Sequence, residues 1–212
     1  MEQSFVAWAK MRARRLPQMK LGIGDDAAVL GASNEDVVIT TDAMMEGVHF
    51  LSADTDLHRI GRKLVNINLS DLAAMAAVPE AIFPSLCVPN RDPRNAADVI
   101  AAEVFEGICQ AAEDHRVAIA GGDTNCWDGP LVLSLTAVGR TQDGVLWTRS
   151  GAQADDLVVV TGSLGGSLAG KHLDFQPRLD IPPLLRDQVK VHACMDISDG
   201  LSTDLLRMCD AS

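Results

Sequence analysis

Apolar residues recur three and four positions apart at Leu57, Ile60, Leu64 and Ile67. That spacing lines up one face of a helix. It predicts a long helix from Leu57 to about Ala77, capped by Asp56 and closed by Pro79. The β-branched run VVITT at 37–41 and the apolar run at 81–88 predict strands, the second one buried. Residues 131–140 alternate apolar with small or polar side chains, as a strand does. A second helix is expected from about Asn95 to His115, and VAIAGGD at 117–123 reads as a strand running into a glycine turn. Residues 3–15 read as a short amphipathic helix.

The stretch 141–156 is polar and contains glycine, and a domain boundary is expected there. It would link a first unit, 1–140, to a second, 157–212. In the second unit a strand is predicted at 157–161, a helix from near Ser163, and a loop or broken helix over 174–190. A strand end, a turn and a helix follow over 194–210. Strands and helices mix without the strict rhythm of a doubly wound sheet. The expected fold class is therefore α/β with mixed sheets of α+β character.

Composition narrows the picture. Of 212 residues 47% are hydrophobic but only 4% aromatic, with no tyrosine, so the core must be built from Val, Leu, Ile, Ala and Met. The net charge of −11 repels nucleic acid and anionic membranes at long range, and neither is expected as a partner. An anionic ligand such as ATP would need cations as mediators. The five cysteines form no CxxC pair and read as reduced thiols. No apolar run reaches membrane-spanning length, and the first twenty residues lack a signal-peptide core. A cytoplasmic protein is expected.

Carboxylates carry the candidate chemistry. Asp25 and Asp26 follow Gly24, Asp42 ends the VVITT run, and Asp123 follows Gly121 and Gly122. Asp196 and Asp199 flank Ile197 and Ser198. Capping and turn chemistry accounts for any one of them alone. Asp71 is different, because it lies between Leu69 and Leu72 in a helical apolar stretch. An unpaired carboxylate there would be costly to bury, so something positive should face it. Short Asp side chains suit Mg²⁺, a hard cation that takes oxygen ligands. Spacing leaves open whether the carboxylates converge.

Residues 165–172, GGSLAGKH, nearly match the phosphate-binding pattern GxxxxGK[ST]. His172 stands where that pattern needs a metal-binding hydroxyl, so a plain glycine turn with a solvated Lys171 is the reading preferred. Gly22 and Gly24 lack the third glycine of a dinucleotide fingerprint.

Taken in order, GIGDDAAVL, TTDAMMEGVHF, NLSDLAAM, GGDTN, TRSGA, VTGSLG and MDISDGL resemble the thiamine-monophosphate kinase family. This family is similar to aminoimidazole ribonucleotide synthetase, selenophosphate synthetase and a hydrogenase-maturation factor. The resemblance implies ATP-dependent phosphorylation of thiamine monophosphate by direct transfer, with several Mg²⁺ ions and no catalytic base. It implies that Asp26, Thr40, Thr41, Asp42, Asp71, Asp123 and Asp196 contact metal and that Asp199 holds a further ion. Gly122, Arg149 and Ser198 would contact ATP, and His49 the thiamine phosphate. It implies a homodimer formed through an N-terminal domain of the aminoimidazole ribonucleotide synthetase type. The family continues past the position of Ser212, so an incomplete C-terminal α/β domain, and a fragment without turnover of its own, are expected. Two alternatives stay open: a sister synthetase using another acceptor, or a nucleotide-binding fragment that does not turn over.

Overall fold

The computed structural model describes residues 19–21, 25–31, 35–90 and 96–212. The helix expected at 3–15 lies outside them. Among the described residues seven strands form one mixed sheet: β1 (Met19–Leu21), β2 (Ala28–Leu30), β3 (Val37–Met45), β4 (Val78–Pro89), β5 (Ala118–Ile119), β6 (Asp123–Trp127) and β7 (Val132–Arg140). The order is β1-β2-β3-β7-β4-β5, with β6 also paired to β4. β5 and β6 run parallel to β4, and the other pairings are antiparallel.

Two long helices, α1 (Leu57–Ala74) and α2 (Ala97–His115), close the core. Alternation along β3 turns Val38, Thr40, Asp42 and Met44 to one face, and Leu133, Leu135 and Ala137 of β7 join them. That face meets Leu64, Leu69 and Leu72 of α1, all fully buried. Burying each such leucine stabilises the fold by roughly 2 kcal/mol. The helices touch backbone to backbone. A β-carbon on Gly61 would lie 2.0 Å from the Val104 carbonyl oxygen, and one on Gly107 would lie 2.0 Å from that of His58.

α1 begins as expected, with the Asp56 side chain accepting the His58 N–H. It ends three residues earlier than predicted, and Pro79 is not what ends it. Ala77 N–H bonds back to the Leu72 carbonyl and Ala76 N–H to that of Ala73, with Ala76 at φ 57°. This is a Schellman turn, which closes a helix through a left-handed residue. The released chain enters β4 at Val78, so Pro79 lies inside the strand.

A second proline explains a strand that the sequence concealed. Pro84 sits in the middle of β4, where its missing N–H leaves a gap in the ladder. The neighbouring chain pairs with Ala81 and Ile82 as β5, breaks, and resumes opposite Ser85 as β6. Gly122 crosses the break, where a β-carbon would stand 2.4 Å from the Pro84 carbonyl oxygen. The expected glycine turn is therefore a passage between two strands, and Asp123 opens the second.

After Arg140 there is no further strand among the described residues. The run 157–161, predicted as a strand, is unpaired, and Leu157 is 90% exposed. The helix expected near Ser163 is a single 3₁₀ turn at Ser167–Ala169 followed by α3 (Lys171–Asp174). Beyond α3, residues 175–190 contain one further short helix, α4 (Ile181–Leu185), so this stretch is mostly loop. The predicted strand end before the last turn is extended but unpaired, and α5 (Leu201–Ala211) follows. This part returns to the sheet and α1 at several points. Cys194 N–H bonds the Thr148 carbonyl, and Asn66 bonds the Phe175 carbonyl. Arg59 pairs with Asp174.

Candidate metal centre

Three separate segments bring carboxylates together. Asp26 precedes β2, Asp71 lies in the last turn of α1, and Asp196 lies on the irregular segment before α5. Each offers an oxygen, and these atoms lie within 4.8 Å of one another. The arrangement follows from the packing just described. β2 pairs with β3, β3 lies under α1, and the 194–196 segment passes beside Ser70 on the same helix.

Each carboxylate is held by a neighbour. Thr40 Oγ1 donates to Asp71 Oδ2 at 2.6 Å, and Ser70 Oγ donates to Asp196 Oδ2 at 3.0 Å. Arg149 approaches Asp26 with both Nε, at 2.8 Å, and Nη2. Its own backbone N–H points at both oxygens of Asp25, each 3.3 Å away. Asp26 Oδ2, fully buried, has no hydrogen-bond partner. A buried oxygen without a donor is rare in a folded protein and calls for an ion or water. Three converging carboxylates with one free oxygen suit a hard divalent cation, so the residues present fit Mg²⁺.

The electrostatics agree. Burial pushes Asp71 up to about 8, with the Asp196 charge adding to the shift and the Thr40 bond opposing it. Burial also raises Asp26, to about 7, against the pull of Arg149. Asp196 is raised by burial as well, which outweighs its bond from Ser70. Burial thus disfavours the charged form of all three carboxylates, and a bound cation would offset that cost. Burial, with the Asp26 and Asp196 charges beside it, pushes the Cys194 thiol up to about 12.

The other expected site residues fall around this centre or away from it. Asp42 shares the inner face of β3 with Thr40; burial raises it, and the nearby His49 charge opposes the rise. His49 is exposed, and its Nδ1 accepts the Met45 N–H at 3.0 Å. Thr41 points to the opposite face of the sheet, where its hydroxyl donates to the Leu135 carbonyl. Its side chain does not join the three carboxylates. Asp123, at the start of β6, is exposed and accepts from Asn125 Nδ2 at 2.7 Å. Ser198 and Asp199 are exposed in the turn before α5, and Arg207 pairs with Asp199 at 2.6 Å.

The near-miss phosphate loop turns inward on itself. Lys171 Nζ donates to the Ser163 carbonyl at 2.7 Å, and His172 Nδ1 lies 3.1 Å from the Ser167 carbonyl. The helix after it has four residues, too short to present a row of amides. Sequence reasoning missed Ser70, Asp25 as an anchor for Arg149, and Asp204. A serine directly before Asp71 was the only signal for the first. For Asp204, an acidic residue in the first turn of a helix, the signal was equally local.

The family description "AIR synthase related protein, N-terminal domain" matches residues 24–141. The chain is 47% identical over 220 residues to the thiamine-monophosphate kinase of Rhodopirellula baltica, covering 100% of this chain and 68% of that protein. Among solved structures, the thiamine-monophosphate kinase of Stenotrophomonas maltophilia is 32% identical with a TM-score of 0.70, covering 99% of this chain and 70% of that one. AaThiL, complexed with AMPPCP and TMP, superposes at a TM-score of 0.81 over 99% of this chain and 69% of its own. At 24% identity that likeness bears on the fold alone. The chain spans 58–68% of the length of the first curated relatives it matches. An ordered sheet of this topology, a cluster of aspartates and these likenesses lead to one assignment: the chain belongs to the AIR synthase related family and, within it, to the thiamine-monophosphate kinases.

Proposed function

We propose that the protein transfers the γ-phosphoryl group of ATP to the phosphate of thiamine monophosphate, giving ADP and thiamine diphosphate. The observation that carries this reading is the convergence of Asp26, Asp71 and Asp196 with one buried oxygen lacking a partner. The name of the Rhodopirellula baltica relative and the AMPPCP and TMP bound by AaThiL support it. When bound, Mg²⁺ supplies neutralising charge between the phosphates, which an acidic chain cannot do by itself. Asp26, Thr40, Asp42, Asp71, Asp123 and Asp196 would hold that metal, with Asp199 serving a further ion. Thr41 would contribute through its main chain, since its hydroxyl faces the other way.

Arg149, Gly122 and Ser198 would receive ATP, and His49 the thiamine phosphate. Gly122 suits close approach because it is exposed and lies in the β5–β6 break. The acceptor oxygen belongs to a phosphate and is already a nucleophile, so positioning and charge stabilisation suffice. No residue is assigned as a base.

The outer sheet face is half apolar and uncovered, with Met45, Val78 and Phe83 between 40% and 47% exposed. We infer that it pairs with a second copy. We read 141–156 as the boundary between two domains, a reading supported by the last strand ending at Arg140. Five free cysteines suit the cytoplasm, and no helix among the described residues is long and apolar enough to cross a membrane.

The test offers ATP, Mg²⁺ and a panel of phosphate acceptors to a version of the protein with the full length of its relatives. ADP should form in equal amount with thiamine diphosphate and only with thiamine monophosphate. Preference for another acceptor would move the protein to a sister activity, and nucleotide binding with no turnover would make it a binding module.

A further inference from the structure

The turn before α5 has an unusual foundation. Its N-cap is Gly200, at φ 105°, which offers no side chain to the free amides that every helix start presents. Asp204, in the first turn, reaches back instead. Its Oδ2 accepts the N–H groups of Ser198 at 3.0 Å, Asp199 at 3.0 Å and Gly200 at 3.1 Å. Its Oδ1 accepts Arg207 Nη1 at 3.0 Å, and Arg207 also pairs with Asp199. Asp204 is 1% exposed.

We propose that Asp204 is the positioning residue of this turn, fixing the segment that presents Ser198 and Asp199 to the nucleotide and its metal; the functional part rests on the kinase reading above. A buried carboxylate is tolerable only with several donors, and this one has four. Three of those donors are the amides of consecutive residues, so one side chain sets the direction of the whole turn. The amides of residues 198–200 are spent on Asp204, and its charge complements the positive end of the helix. Ser198 meets the nucleotide through its hydroxyl. Arg207 extends the control to Asp199, holding that carboxylate at a set angle.

The test compares Asp204→Asn and Asp204→Ala with the unaltered protein by amide exchange, Mg²⁺ and ATP calorimetry, and turnover. Asn keeps the shape but replaces one acceptor by an amide group. Exchange at 198–200 should quicken roughly tenfold in Asp204→Asn and further in Asp204→Ala, as lost hydrogen bonds of this kind imply. Amides of α1 and the sheet should not change. kcat should fall by about tenfold or more, with KM for thiamine monophosphate nearly constant, because a displaced turn affects alignment more than binding of the acceptor. Unchanged exchange at 198–200 would overturn the proposal. So would lost protection there with full turnover, or acceleration spread evenly over α1, α2 and the sheet. Turnover is read in a version with the full length of the relatives; if that protein does not phosphorylate thiamine monophosphate, the kinase reading fails, while exchange and metal calorimetry still decide the role of Asp204.

Discussion

At the scale of single residues, the balance is between burying charge and recruiting a cation. In the unfolded chain Asp71 and Asp26 would have the ordinary value of 3.8; in the folded protein burial pushes them to about 8 and about 7. A raised value means that the folded state keeps protons which the unfolded state has released. Stability is then full below about pH 4 and is lost as pH rises toward 8. Metal-free protein should melt at a lower temperature at pH 8 than at pH 6. Added Mg²⁺ should recover more of the loss at pH 8, where the ligands are deprotonated. Melting curves at both pH values check this, and an equal response at the two would remove the site from the account.

Asp71→Asn removes the charge and keeps the shape. It should flatten the pH dependence of the metal-free protein and leave the fold intact. It should also lower kcat by about a hundredfold or more, as loss of a charge-stabilising group does. Near-normal turnover at low Mg²⁺ would exclude Asp71 as a ligand.

At the scale of elements, backbone contacts between helices decide what is tolerated. Gly61→Ala places a β-carbon where the Val104 carbonyl stands, so α1 and α2 must separate. The expected loss is about 1–3 kcal/mol, read from the denaturant midpoint with an unchanged slope. Ala76 is the reverse case. It holds a left-handed conformation that costs a non-glycine residue about 1 kcal/mol. Ala76→Gly should therefore stabilise the protein by roughly that amount, less the small contact its methyl group makes. The loop at 163–172 bears no phosphate in this account. Lys171→Ala should change catalytic efficiency for ATP less than about tenfold, and a hundredfold loss, or roughly 2.7 kcal/mol, would restore the phosphate-loop reading.

At the scale of the whole molecule, the sheet has one face under helices and one in water. Sedimentation at micromolar concentration should show a dimer. Phe83→Lys, on the uncovered face, should shift it toward monomer without unfolding the sheet, since Phe83 faces away from α1 and α2. A dimer unaffected by that change would place the interface elsewhere. The two parts of the chain should also differ in exchange. The sheet and its helices should protect their amides, whereas 157–166, unpaired and largely exposed, should exchange fast. Uniform protection to Ser212 would count against this division.

Local physics was legible where one side chain or one period suffices. The α1 face, its Asp56 cap, the alternation of β7 and the odd position of Asp71 follow from spacing and from the cost of burying charge. They need no partner to be recognised. The ordered motifs likewise point to the family without any coordinates. What sequence could not reach depends on contacts between distant segments. The strand expected at 157–161 needs a neighbour to accept its hydrogen bonds, and composition says nothing about whether one is present. The split of β5 from β6 depends on Pro84, about forty residues away and across the ladder. The meeting of Asp26, Asp71 and Asp196, the pairing of Arg149 with Asp26, and the hold of Asp204 on its turn are three-dimensional facts of this kind. Propensity is a property of a residue and its near neighbours, whereas convergence is a property of packing, and only the tertiary structure decided it.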